Sequence, residues 1–266
     1  MSANSTTSSD LEKFNFSGGL PTSVDLAPSY FPCLLVLLWR IFKDRTMVLL
    51  RPSIFILCRF GTLGLRAWMS KNSYGENELI AELVMVSIGF LFLVEPVVTC
   101  WKFHVESAVT EEERPRWVHL STNALRIGII AAIATAIAGS SEIGDALDDP
   151  SQMDDVNLLR RASMIISLIV VIVAVLATIL THIQFKLATR GTVWLLCAEA
   201  CLFVVAVYKL AQFESSDPSS PARSRVAFWI LQMTFELIAF VLILSISIPQ
   251  WFPGGKKEVS EKYGDV

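Results

Sequence analysis

The chain is predicted to be an all-α, polytopic membrane protein, a bundle of seven transmembrane helices, on three observations. Hydrophobic residues make up 53% and charged residues 18%, against roughly 45–50% and about 25% in soluble domains. The mean hydropathy of +0.54 agrees. The apolar residues gather into seven blocks of about 19–23 residues, the length that crosses a bilayer core. Trp39, Trp68, Trp101, Trp117, Trp194, Trp229 and Trp251 all fall near a block end, where indole keeps its ring apolar and its N–H wet.

The spans read as 24–42, 47–69, 79–101, 117–138, 162–182, 191–211 and 226–248. Lipid offers the backbone no hydrogen-bond partner, so each span must satisfy itself as a helix. The alternation of a β-barrel strand is absent. A polar tail, 1–23, precedes the membrane domain, 24–252, and a second tail, 253–266, follows it.

In the first span the apolar run is short, Leu26 to Trp39, between Asp25 and Arg40. The second carries Arg51, Arg59 and Arg66. Arg51 and Arg66 stand near opposite ends and can snorkel to the headgroups, but Arg59 is too far from either end. The alternative is that 47–69 lies in the interface, which leaves six spans and both termini on one side. In the third, Glu95 stands near the cytosolic face beside Pro96, where a kink is expected. The fourth shows Gly128, Ala132 and Ala136 at intervals of four. Small residues so spaced let backbones approach, so this helix is expected to be central and tightly packed.

Gly139 to Leu158 holds Glu142, Asp145, Asp148, Asp149, Asp154 and Asp155 with no basic residue. It reads as a solvated outer loop, because the Asp/Asn alternation of a calcium loop is missing. Asp149-Pro150 has the order of an N-cap and first helical position, so the fifth helix is expected to begin before lipid. The five cysteines (Cys33, Cys58, Cys100, Cys197, Cys201) sit in or beside apolar blocks, which suits small core packing better than a disulfide framework. Ser215 to Ser224 reads as a turn, and Pro253-Gly254-Gly255 ends the last helix.

Orientation follows from basic residues in short loops. Twelve (Arg40, Lys43, Arg45, Arg51, Lys102, Arg114, Arg116, Lys186, Arg190, Lys256, Lys257, Lys262) fall on one side. Seven (Lys13, Arg66, Lys71, Arg160, Arg161, Arg223, Arg225) fall on the other. The amino terminus is therefore expected outside or in the lumen of the plasma membrane or an endomembrane, with the carboxyl terminus cytosolic. Asn4-Ser5-Thr6 and Asn15-Phe16-Ser17 are acceptor sequons for glycosylation on that outer side. The tail has no basic n-region and no early apolar core, so the first span itself directs insertion.

Several functions are excluded. A net charge of −3, with 22 basic and 25 acidic residues, supplies no field for nucleic acid. Residues 226–248 hold no lysine for a retinal Schiff base, and the chain has only His104, His119 and His182, too few for a di-iron hydroxylase. An Asn-Pro-x-x-Tyr motif, a phosphate-binding loop, Gly-x-Ser-x-Gly and His-Glu-x-x-His are all missing. No metal, cofactor or catalytic residue is expected from motifs.

What stands out is charge inside lipid, which costs several kcal/mol unless paired or wet. Arg59, Glu95, Arg126, Glu199 and Glu236 qualify. By the rise of about 1.5 Å per residue, Arg59, Arg126, Glu199 and Glu236 fall within about 6 Å of one depth near the midplane. They are expected to face one another, with Trp229 and Gln232 continuing the polar lining beside Glu236. Two cations against three acids leave one carboxylic acid expected to stay protonated, Glu236 or Glu199. The cluster fits either a buried ion-pair network that fixes helix register or a polar floor for a lipid headgroup or amphipathic molecule.

Four places carry a resemblance: Tyr30-Phe31-Pro32 with the run to Arg40, Phe55 to Gly61, Ser87-Ile88-Gly89-Phe90, and Phe235-Glu236-Leu237-Ile238. Their order resembles a family of uncharacterised fungal seven-helix membrane proteins, over nearly the whole chain after residue 24. The sixth span departs: the family places an arginine just before the position of Tyr208, and this chain has Val205, Ala206 and Val207. The layout is also similar to fungal lipid-translocating-exporter-like proteins, which implies membrane lipids as partners and a role in binding, sensing or moving a lipid-like molecule. A second likeness is Phe42-Lys43-Asp44-Arg45-Thr46 with Pro52, which resembles a stretch of fungal membrane-bound terpene cyclases. That implies the alternative of an enzyme that uses Glu199 or Glu236 as its acid, although Cys58-Arg59-Phe60 stands where those enzymes carry an acidic residue.

Overall fold

The computed structural model describes residues 27–44, 47–69, 72, 76–110, 112–215 and 220–254. Asn4 and Asn15, and the tail from residue 255, lie outside the described residues. Among the described residues the fold is all-helical, with no strand. In chain order it has α1 (Ala27–Asp44), α2 (Leu50–Met69), α3 (Glu76–Ala108), α4 (Arg116–Ser141), the short α5 (Ile143–Asp148), α6 (Met153–Phe185) and α7 (Thr189–Glu214). A last rod follows: α8 (Arg225–Ala227), a π-helical segment (Phe228–Thr234) and α9 (Phe235–Ser245); then comes one turn, α10 (Ile248–Trp251).

Five helices are long and apolar enough to cross a membrane: α3 from Asn77, α4, α6, α7 and the rod Arg225–Ser245. The chain is thus a multi-pass membrane protein. α1 and α2 form helices where the first two spans are expected, but stand outside these five. α1 carries Arg40, Lys43 and Asp44 within its 18 residues, and α2 carries Arg51, Arg59 and Arg66.

The helices outrun the apolar blocks that announce them. α3 spans 76–108 rather than 79–101, and α6 spans 153–185 rather than 162–182. Hydropathy marks only the part in lipid, whereas the backbone ladder continues for turns into headgroups and water. The last rod instead stops short, at Ser245 rather than 248.

Gly139–Leu158 is not a plain loop. Ile143 and Ala146 of α5 bury against Val156 of α6, with Ile80, Leu83 and Met153 around them. Asp149 does start the next helix, through a 3-10 turn at Pro150–Gln152. Its carboxylate accepts from the Ser151 hydroxyl (2.8 Å), the Ser151 N–H (3.1 Å) and the Gln152 side chain (3.2 Å). Those bonds, the Ser151 hydroxyl first, hold the carboxyl below the usual range.

The central helix is α3, not α4: 67% of the apolar stretch of α3 is buried against 33% for α4. The small-residue stripe does pack, but on one side only. A Cβ on Gly128 would lie 2.7 Å from Val170 of α6, and the Ser163 hydroxyl donates to the Ala132 carbonyl at 2.7 Å. The other side of α4 presents Ile127, Ile130 and Ile137 outward.

The tryptophan rule also needs correction. Trp39 and Trp68 are exposed, but Trp101 and Trp194 are buried. Their indoles donate to Thr181 Oγ1 and the Leu242 carbonyl, each at 3.1 Å. Proximity to a block end does not say which way the ring points. Likewise Cys197 faces outward rather than into the core.

One prediction follows from the α4–α6 contact. Ala132 is fully buried and its carbonyl takes the Ser163 hydroxyl of α6, so Ala132→Leu should destabilise by about 1–3 kcal/mol. Ala124→Leu on the exposed side should leave the melting temperature in detergent nearly unchanged.

Candidate functional site

A guanidinium in the bilayer interior needs a counter-charge and acceptors for its five donors. Arg59 on α2 and Glu236 on α9 meet these needs in each other. Both are fully buried and their charged atoms are 2.5 Å apart. Gly89 on α3 brings α3 close to α2 here, since a Cβ there would stand 3.3 Å from Cys58 Cβ. The guanidinium lies over the Phe55 ring at 5.3 Å. Its Nη2 also points at the Val86 carbonyl of α3, 3.4 Å away.

That carbonyl receives a second cation. Lys209 of α7 directs Nζ to it at 3.5 Å, above the Phe90 ring at 5.1 Å. Gln232 donates to Glu236 Oε1 at 3.5 Å, and Tyr30 of α1 donates to the Met233 carbonyl at 3.3 Å. The π-helical segment is where these contacts gather. The Thr234 side-chain hydroxyl donates to the Trp229 carbonyl, and the residue that a π-helical turn inserts re-aims side chains within a helix. α1, α2, α3, α7 and the last rod thus meet at one polar centre.

Of the residues singled out by sequence, the structure brings together Arg59, Glu236 and Gln232. Glu95 is paired elsewhere, with Arg51 at 2.6 Å and Thr99 at 3.1 Å. Arg51 therefore pairs instead of only snorkelling. Arg126 is half-buried, and the charge it senses is Glu95 rather than Glu236. Glu199 is buried and accepts from Thr178 at 2.7 Å; among the described residues it forms no ion pair. The expectation that four helices bring Arg59, Arg126, Glu199 and Glu236 face to face is thus corrected. Depth along a helix is readable from residue count, but the direction around the axis depends on neighbours.

Lys209 is the residue that sequence reading missed. It lies near the end of the sixth apolar block, where snorkelling is the default, yet α7 continues to Glu214 and keeps it inside the bundle. Arg66 and Glu82 were missed for the same reason. They form a second buried pair between α2 and α3, with Arg66 Nε 2.6 Å from Glu82 Oε1 and its guanidinium 4.3 Å above Phe228.

Beside Lys209 lies a cavity of about 20 Å³ between α3, α4, α6 and α7. Lys209, Arg160 and four serines supply its polar lining, and no carboxylate does. Toward the opposite end of the bundle, Thr192 bridges His104 (3.1 Å) and His182 (3.0 Å). Among the described residues no group of three His, Cys, Asp or Glu side chains could hold a metal ion. No family model, curated protein or solved structure matches the chain.

The geometry separates the two buried acids. Glu236→Gln leaves Arg59 buried without its counter-charge, so it should destabilise by about 3–5 kcal/mol. The double replacement Arg59→Met with Glu236→Leu should recover much of that loss. Glu199→Gln keeps an acceptor for Thr178 and should be nearly neutral. Thermal unfolding of the purified variants in one detergent measures all three.

Proposed function

We propose that this is a seven-helix integral membrane protein that binds, senses or translocates a lipid-like or amphipathic small molecule, with the polar centre taking its head. One observation carries the reading: the interior holds more polarity than the protein itself satisfies. Arg59 Nε and Nη1 and the Tyr208 hydroxyl have no hydrogen-bond partner among the described residues. A network that only fixed helix register would be expected to close on itself, because each orphaned buried donor costs free energy. The terpene-cyclase alternative gains no such support from the cavity beside Lys209, whose lining holds no carboxyl group.

The count of seven is supported by the way α1 and α2 join the interior, through the Tyr30–Met233 hydrogen bond and the Arg59–Glu236 pair. An interfacial α2 would have to bring Arg59 to the same depth as Glu236 without entering the bundle. The excess of basic residues in alternate loops supports an amino terminus outside or in the lumen and a carboxyl terminus in the cytosol.

Two measurements test this. Native mass spectrometry of the gently solubilised protein should show a retained amphipathic molecule that Glu236→Gln or Lys209→Met releases; an empty protein at every detergent strength would overturn the binding reading. Protease-accessible tags at the two ends should report opposite compartments, and one shared compartment would leave an even number of spans.

A further inference from the structure

We propose that the cavity between α3, α4, α6 and α7 is an anion site, built for one small monovalent anionic group, a halide or a carboxylate, with Lys209 as its counter-charge. This rests on reading the interior as a binding site, and names the group that reading leaves open.

Arg59 and Glu236 cancel. Lys209, buried among the same residues, forms no ion pair among the described residues; the one carboxylate whose charge it feels is Glu236, which is already paired with Arg59. Among the described residues its one hydrogen bond is the long contact to the Val86 carbonyl, which Arg59 also uses. The centre therefore carries one positive charge more than it cancels, in a medium where an isolated charge is costly. A water can supply hydrogen bonds to the ammonium but no charge, whereas an anion supplies both.

The cavity offers the place. Lys209 lines it together with Arg160, Ser87, Ser140, Ser163 and Ser167. Ser163 and Ser167 donate to the carbonyls of Ala132 and Ser163. The hydroxyls of Ser87 and Ser140 make no such bond among the described residues and are left to donate inward. Lys209 and two O–H donors, with no carboxylate in the lining, call for an acceptor in the cavity, and Arg160, which also feels Glu82, adds to the positive field there. Size narrows the class: the cavity measures about 20 Å³, and one water-sized occupant needs about 10–15 Å³. That admits a halide or the two oxygens of a carboxylate and crowds out a phosphate or sulfate.

The test measures melting of the full chain in detergent at constant ionic strength, with isethionate, whose sulfonate is too bulky, replaced stepwise by chloride, acetate or laurate. The proposal expects a saturable rise in melting temperature. Chloride or acetate acting alone identifies a free anion, and laurate acting where they do not identifies the head of a lipid. Lys209→Met should abolish the dependence. Should that variant not fold, Ser140→Ala keeps the charge and should raise the half-saturating concentration roughly three- to tenfold, the loss of one hydrogen bond. Identical melting in every salt would overturn the proposal, as would an unchanged response in both variants. Anion dependence without a co-purifying amphipath would remove only the lipid reading. A retained amphipath without anion dependence would remove only the anion site.

Discussion

The Arg59–Glu236 pair sets the terms for the rest of the bundle. An unpaired guanidinium or carboxylate at that depth would be costly enough to move a helix or draw in water. Paired, the two residues tie α2, which is too polar to count as an apolar span, to the last rod. The pair need not add net stability, since desolvation can match the attraction. Its consequence is specificity: turning α2 about its axis, or sliding it by a turn, would leave two charges in lipid. The ring of Phe55 and the Val86 carbonyl are the local conditions that let an arginine side chain stand beside its acid.

α3 occupies the centre because it supplies what other helices need, from both its backbone and its side chains. Its Val86 carbonyl faces both Arg59 and Lys209, and its Phe90 ring lies under the ammonium. Its Glu82 and Glu95 each take an arginine from α2, at Arg66 and Arg51. Three of the four buried acids named here as ion-pair partners or as the lone Glu199 lie on α3 or α9, while their cations come from α2. The second helix is therefore held along its whole length by ionic contacts, where the apolar α4 and α6 rely on close backbone approach at Gly128 and Ala132.

The positions of helices were legible in the sequence because lipid imposes one requirement, an apolar run of sufficient length, that composition records directly. All the predicted blocks that fall in the described residues are helical. Which way a side chain points was much less legible. Arg59 and Glu236 could be matched because each had no other means of reaching water. Arg126 has the same depth but stands on the flank of α4, and Glu95 is close enough to the end of its span for Arg51 to reach it. Lys209 and Arg66 were hidden by the opposite error. A long cationic chain near a block end has an easy route to the headgroups, and nothing local says that the helix continues and encloses it. The tryptophans split for the same reason: position along the axis is a property of the sequence, azimuth a property of the assembly.

The enclosure of Lys209 bears most directly on what the interior is for. A lysine can escape burial by extending its four-carbon stem toward water, and the selection of a rotamer that keeps it inside has to be offset by something. Within the protein, the offsets are a carbonyl shared with an arginine and the face of one phenylalanine. Neither carries a full negative charge, and the nearest acid is already committed to Arg59. The cavity on its other side is lined by a further cation and by hydroxyl donors, which makes the surroundings less, not more, hospitable to an ammonium standing alone. A purely structural lysine would be better served by a carboxylate turned toward it. The arrangement is economical only if the missing negative charge arrives from outside the chain.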